Sequence, residues 1–292
     1  MMTVPMSNAQ TPARTYDVAV RPDLLFAEHD GTKLVGDFYL PKGRAKAPAL
    51  VAIHGGGWQL GDRSFYKYWG PFLARHGYAL FAIEYRLGKA GVYPAAVDDC
   101  KAAVQFVRAK AADFDIDSER TGLIGDSAGA HLSALLALAG EQYGAAYRND
   151  PHAATPVGVK AVVGFYGVYD LYGQWQHDLF ARPRDPIVEK FLGTSPTLDR
   201  RLYFEASPIS HAIVDRNKLR FLLINGTDDD IVDSPTQSGA FLTALMQAQF
   251  LVRRIVIPGA GHFWSNEPFE NDPSNYNATV APRLLRFLEG SF

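Results

Sequence analysis

A single cysteine, Cys100, stands in a chain of 292 residues. That excludes an internal disulfide and any cysteine-rich zinc or iron–sulfur site. No run reaches the ~18 consecutive apolar residues of a transmembrane helix, and residues 1–17 hold no apolar stretch of signal-peptide length. Charge of one sign is not in excess either: the net charge is −2 and no five like charges follow one another. A protein that binds nucleic acid through counterion release needs a basic face. Neither a membrane nor a nucleic acid is therefore expected as a partner, and the default setting is reducing and cytoplasmic. There is no Walker-type phosphate loop, no G-x-G-x-x-G opening a helix, no H-E-x-x-H and no clustered ligand set, so no metal and no cofactor are expected. Internal repeats and low-complexity tracts are missing as well.

What is present is a soluble-type composition, 47% hydrophobic and 21% charged, long enough for one large α/β domain. Residues 1–20 are rich in Ser, Thr, Pro and Asn and read as an N-terminal arm; residues 21–292 read as the domain. Leu24–His29 and Lys33–Leu40 flank Asp30-Gly31, the turn signal of a β-hairpin. Short buried-type runs at Ala49–Ile53, Tyr78–Ile83, Thr121–Ile124, Val159–Phe165, Leu219–Asn225 and Val252–Ile257 read as strands. Helical patterns fall between most of them: one ending near His76 before Gly77, then Ala95–Ala112, Ala128–Ala139, Thr236–Gln247 and Ala278–Leu288. Alternation of this kind implies a mainly parallel sheet with helices on both faces. The rhythm breaks once, between Phe165 and Leu219. A structureless loop of that length is improbable in a compact domain. It reads as a small cap of short helices inserted over about 167–218, lying over one end of the sheet.

Gly125-Asp126-Ser127-Ala128-Gly129 matches G-x-S-x-G in the strand–turn–helix setting that the motif requires. Ser127 would be held proud of the sheet by a strained turn, at the positive end of the following helix. Serine is a weak nucleophile and needs a base. In this topology the order along the chain is Ser, then Asp or Glu, then His. His152, His177, His211 and His262 all follow Ser127, while His131 sits on the helix that the serine opens. His262 follows a strand within Pro258-Gly259-Ala260-Gly261, a stretch small enough to bring an imidazole over the serine, and is the expected base. The acid is expected in the loop after Leu219–Asn225, where Asp228, Asp229, Asp230 and Asp233 are all candidates and spacing does not choose. Its role would be to fix the imidazole tautomer and stabilise the imidazolium. His54-Gly55-Gly56-Gly57-Trp58 follows a strand, where backbone N–H groups could converge on a developing oxyanion together with that of Ala128. His54 precedes Ser127 and is expected to brace the loop. Arg86, next to Glu84, is expected to brace structure by pairing with Glu84 or Asp99; Asp98-Asp99 is expected on a solvated or braced helix face. The chain has 18 Phe, 14 Tyr and 4 Trp. Those in the cap, with Trp58, Phe263 and Trp264, are expected to line a pocket for an apolar or aromatic acyl group.

Taken together, HGGGW, EYRL, YPAAVDDCKAAVQFVR, GDSAGAH, NGTDDDIV and GAGHFW resemble the α/β-hydrolase fold from about Leu24 to the C-terminus. Within it the chain resembles hormone-sensitive-lipase-like and feruloyl-esterase-like carboxylesterases. The resemblance implies a G-x-x-D segment as source of the acid, which maps onto Gly226 and Asp229, and an oxyanion hole of Gly56, Gly57 and Ala128. Many relatives read H-G-x-x-D, where this chain has Asn225. It further implies hydrolysis of a small-molecule ester by a Ser127–His262–Asp229 triad through an acyl-enzyme, with short-chain or aromatic acyl groups. The tryptophan after the glycines and the GAH after the serine also resemble kynurenine formamidases, so an arylformamidase is the alternative enzyme. A non-catalytic ligand receptor on the same fold is the alternative of another class. The oligomeric state, monomer or homodimer, is left open.

Overall fold

The computed structural model describes residues 15–270, 272 and 274–292; most of the expected arm, residues 1–14, lies outside them. The chain opens with β1 (Val18–His29) and β2 (Thr32–Pro41). Their turn is Asp30-Gly31, both residues with positive φ (50° and 77°). Such a turn matches the right-handed twist of the strands it joins. β1 begins well before the expected Leu24, because a register shift between Arg21 and Leu24 lets the strand continue past an irregularity at Asp23.

Then come β3 (Ala47–Ile53), α1 (Trp69–Arg75), β4 (Ala79–Ile83), α2 (Ala95–Ala109), β5 (Ile116–Asp126) and α3 (Ala128–Ala139). β6 (Ala161–Phe165) is followed by α4 (Leu171–Ala181), α5 (Ile187–Leu192) and α6 (Arg200–Glu205). The chain finishes with β7 (Arg220–Gly226), α7 (Ala240–Gln247), β8 (Leu251–Ile257) and α8 (Tyr276–Ser291). α7 starts later than its sequence pattern suggests, because Pro235–Gly239 forms a wider turn ahead of it.

Among the described residues the eight strands form one sheet in the order β1-β2-β4-β3-β5-β6-β7-β8. β2 runs antiparallel to β1 and β4, and every pair from β4 to β8 is parallel. Period-two alternation splits the strand side chains between two cores. Val51, Phe81, Leu123 and Phe221 pack on the face covered by α2, α3 and α7. Leu50, Leu80, Ile124 and Leu222 pack on the other, under α1 and α8. A parallel sheet buried on both faces needs near-continuous apolar strands, and β3 and β4 are fully buried along their length.

Register decides where chemistry can occur. Ile53 pairs with Gly125, and Asp126 with Phe165. The loops that leave β3, β5, β6, β7 and β8 therefore emerge together at the carboxyl end of the sheet, where open α/β sheets place their ligands.

Candidate active site

Ser127 occupies the sharp turn between β5 and α3 with φ 50° and ψ −117°, a strained conformation for a residue with a side chain. Its own N–H donates to the carbonyl of Phe165 (2.9 Å), and its carbonyl accepts from His131 N–H (3.1 Å). The turn passes so close to β3 that a Cβ on Gly129 would stand 1.9 Å from the Ile53 carbonyl oxygen. Only glycine fits there.

His262 lies beyond β8 on a turn that is stitched to the loop after β7. Asp228 N–H donates to the Ala260 carbonyl (3.0 Å) and Thr227 N–H to that of Ile257 (3.1 Å). Gly259 N–H donates to Thr227 Oγ1 (2.8 Å). Two loops held edge to edge bring two side chains into contact: His262 Nδ1 is 2.7 Å from Asp229 Oδ2, and His262 Nε2 is 3.0 Å from Ser127 Oγ. The Tyr166 ring packs against the imidazole, centroid to centroid 4.4 Å. With Nδ1–H donating to a carboxylate, Nε2 is left as an acceptor for the serine hydroxyl. The structure thus brings Ser127, Asp229 and His262 together.

It leaves the other candidates apart. Asp228 is exposed and accepts from the Thr227 hydroxyl, and Asp233 accepts from Thr236 N–H. His177 donates to the Asp230 carbonyl and His211 to that of Glu205, while His152 packs against Phe106. His54 is buried, donates to the Gly55 carbonyl (2.7 Å) and stacks on Tyr85; burial pushes its pKa down to about 4. Arg86 takes Asp99 rather than Glu84, which pairs with Arg63. Asp98 and Asp99 are both buried, so this helix face is braced rather than solvated.

The glycine loop after β3 turns over the serine. Gly56 has φ 110°, and a Cβ there would fall 2.0 Å from the Leu60 carbonyl oxygen. Gly56, Gly57 and Ala128 line the same cavity as Ser127 and His262. Ala128 is the first residue of α3, so its N–H has no partner within the helix. Sequence reasoning overlooked Asp126, whose carboxylate ties this loop to the turn. Its Oδ1 accepts from Gly55 N–H and from the Tyr66 hydroxyl, both at 3.1 Å, and its Oδ2 is buried without a partner among the described residues. Burial raises its pKa to about 7, against those two hydrogen bonds, which lower it.

The cavity measures about 280 Å³. Trp58 and Phe263 line it. Trp264 turns away and is buried against Phe165, Tyr166 and Tyr276, because the left-handed Phe263 reverses the chain immediately after His262. The cap side also departs from expectation. Instead of aromatic rings it presents Gln174, Asp178, Arg182, Asp185 and Lys190, with the aliphatic Val168 and Ile187. Among the described residues, no group of three His, Cys, Asp or Glu side chains could hold a metal, and no helix is long and apolar enough to cross a membrane.

The BD-FAE family model matches residues 36–245. The chain is 32% identical to esterase LipQ of Mycobacterium tuberculosis over 228 residues, covering 74% of this chain and 50% of that one. It is 34% identical to esterase LipC of the same organism over 230 residues, covering 74% and 53%. The chain thus spans about half the length of the curated relatives it matches. Among solved structures, a truncated carbohydrate esterase from gut microbiota superposes with a TM-score of 0.76 at 23% identity, covering 95% of this chain and 97% of that one. The propionate-bound esterase Est2 of Thermogutta terrifontis gives 0.74 at 22% identity, covering 97% of each. These likenesses establish the α/β-hydrolase fold. With the family model spanning β3 to β7, the glycine loop and the turn at Ser127, the chain belongs to the BD-FAE family.

Proposed function

We propose that the chain is a serine carboxylesterase that hydrolyses small esters through an acyl-enzyme. The observation that carries this reading is the unbroken hydrogen-bonded line from Ser127 through His262 to Asp229 beneath a glycine loop. Ser127 Oγ attacks the ester carbonyl carbon and its proton passes to His262 Nε2. Asp229 holds the imidazole in the required tautomer and stabilises the imidazolium. The N–H groups of Gly56, Gly57 and Ala128 receive the oxyanion. The tetrahedral intermediate expels the alcohol, which takes the proton from His262. Water then attacks the acyl-enzyme by the same route and releases the carboxylic acid.

A cavity of about 280 Å³ is at the small end of ligand pockets, which run roughly 300–1,000 Å³. It supports a short acyl group. The charged and amide side chains of the cap support a polar rather than a fatty alcohol portion. The relatives that match over most of this chain are esterases by name, which supports the ester reading. The test is covalent labelling with a fluorophosphonate, together with turnover of activated esters of graded acyl length and of N-formyl aromatic amides. Labelling at Ser127, and loss of both labelling and turnover in Ser127→Ala, are expected. Full turnover in that variant would overturn the mechanism, and a preference for the formamides would make the enzyme an arylformamidase.

A further inference from the structure

Trp58 holds a left-handed backbone, φ 58°, an unusual conformation for a bulky residue that persists only where the surroundings enforce it. Three contacts enforce it here. The Trp58 carbonyl accepts from Gly88 N–H at 2.9 Å. The indole stacks on Phe191 of α5, with centroids 4.5 Å apart and planes 15° from parallel. The indole Nε1–H donates to His131 Nδ1 at 3.2 Å.

His131 is completely buried, one turn along α3 from Ser127. Its other ring nitrogen, Nε2, lies 2.8 Å from the carbonyl oxygen of Ala206, at the end of α6. The partners dictate a single tautomer. Indole can only donate, so Nδ1 must be bare; a carbonyl can only accept, so Nε2 must carry the hydrogen. A second proton on the ring would set two N–H donors against each other at Nδ1. Burial acts in the same direction and lowers the imidazole pKa to about 4, against the hydrogen bond to Ala206, which raises it. One neutral ring therefore joins three parts of the site: the helix that follows the serine, the glycine loop and the cap. The cap touches that loop a second time, since Ile187 lies so close to Gly57 that a Cβ there would meet its Cγ2 at 3.1 Å.

We propose that His131 is a positioning residue for the oxyanion hole. By holding the indole of Trp58 it fixes the backbone of the left-handed Gly57-Trp58 turn, and through it the preceding peptide between Gly56 and Gly57, whose N–H is directed at the oxyanion above Ser127. The inference rests on the functional reading above, in which Gly57 receives the oxyanion. A histidine that merely fills the core would contribute stability and nothing specific to the transition state. A positioning residue is felt in kcat and in the affinity for a tetrahedral mimic, with little change in ground-state binding.

Three variants separate these roles. His131→Asn keeps a short acceptor near the indole but does not reach Ala206. His131→Gln reaches Ala206 and gives up the acceptor at the Nδ1 position. Trp58→Phe keeps the stack on Phe191 and removes the donor, and it serves if both His131 variants fail to fold. Each is measured for kcat and KM on one short-chain p-nitrophenyl ester, for inhibition by an alkyl boronic acid, and for melting temperature. His131→Gln and Trp58→Phe should lower kcat by about 10- to 100-fold, somewhat less than outright loss of an oxyanion donor. KM should stay within about twofold, and boronate affinity should fall by the same factor as kcat. His131→Asn should retain more kcat than His131→Gln at a similar melting temperature. Equal kcat in the two His131 variants, or undiminished kcat and boronate affinity in Trp58→Phe, would overturn the proposal. Wild-type protein that neither turns over the ester nor reacts with a fluorophosphonate would instead overturn the esterase reading beneath it.

Discussion

Asp229 meets His262 with one carboxylate oxygen and the protein backbone with the other: Oδ2 is 2.7 Å from His262 Nδ1, while Oδ1 accepts from the N–H groups of Ile231 (3.0 Å) and Val232 (2.9 Å). Bonds of this kind fix the position and orientation of a carboxylate. Its neighbours Asp228 and Asp230 are exposed to solvent.

Asp229→Asn should therefore lower kcat by about 10⁴-fold, as the same exchange does in a comparable triad, because the amide supports the wrong tautomer and leaves the imidazolium uncompensated. Asp228→Asn and Asp230→Asn should cost no more than the few tenths of a kcal/mol typical of surface changes. The three variants are compared on one ester. A collapse in either neighbour with Asp229→Asn still active would move the acid to another residue.

The buried carboxyl of Asp126 should give the protein an unusual pH profile of stability. Its pKa in the folded chain is raised to about 7, against about 3.9 for an unfolded Asp. Between those values the folded state holds a proton that the unfolded state has released. Stability from this group is therefore full below about pH 4 and falls as pH rises toward 7, with a limiting slope of about 1.4 kcal/mol per pH unit. Asp126→Asn keeps an oxygen for Gly55 and Tyr66 and carries no charge. Its denaturant midpoint at pH 8 should exceed that of the wild type, and the two should converge near pH 4. Parallel curves would show that Asp126 is not the group responsible.

A short acyl pocket makes a prediction about chain length. kcat/KM on p-nitrophenyl esters should be highest for acetyl to butyryl groups and fall steeply beyond medium chains. The Ile187 side chain crowds Gly57 from the cap. Ile187→Ala should consequently shift the optimum toward longer acyl chains. An unchanged profile would place the acyl group elsewhere in the cavity.

Away from the cavity, Asp99 joins Arg86 and His29 inside the protein. It binds the Arg86 guanidinium through Nε and Nη2 and receives His29 Nδ1 at 2.6 Å, all of it fully or almost fully buried. His29 reaches Asp150 on its other side. Asp99→Ala would leave Arg86 without its main partner and should destabilise the chain by about 3–5 kcal/mol. Esterase kcat in the remaining folded protein should change by less than about twofold. A loss below about 1 kcal/mol in urea unfolding would refute the account.

Sequence and structure agree where chemistry is written into local chain geometry. The turn at Ser127 is a neighbour-to-neighbour constraint, visible as strand, small residues and helix within one segment. His262 was legible because small residues after a strand leave few other uses for an imidazole. Asp229 was not chosen by spacing, since the choice among three adjacent aspartates depends on how Asp228 and Thr227 bond to the next loop. Adjacency misled at Trp264: one left-handed residue, Phe263, sends it into the core. The contacts of Asp126 and His131 were not legible because their partners are distant along the chain, Tyr66 by 60 residues and Ala206 by 75. The aromatic residues of the cap pointed to an apolar lining, but a helix hides as much of its surface as it shows. Trp175, for example, gives its indole N–H to Glu189 within the cap itself.

The strand order has a consequence for biosynthesis. Ser127 follows the fifth strand of the sheet, and His262, after the eighth, is 135 residues further along. At roughly 5–20 residues per second on a ribosome, that separation corresponds to about 7–27 seconds during which the nascent chain carries Ser127 without His262, its proposed base. Through that interval Ser127 is an ordinary alcohol, inert toward esters around it. On the proposed mechanism reactivity would begin only when β8 docks at the sheet edge and brings His262 to Ser127, so that the onset of fluorophosphonate labelling during translation would mark the docking of that strand.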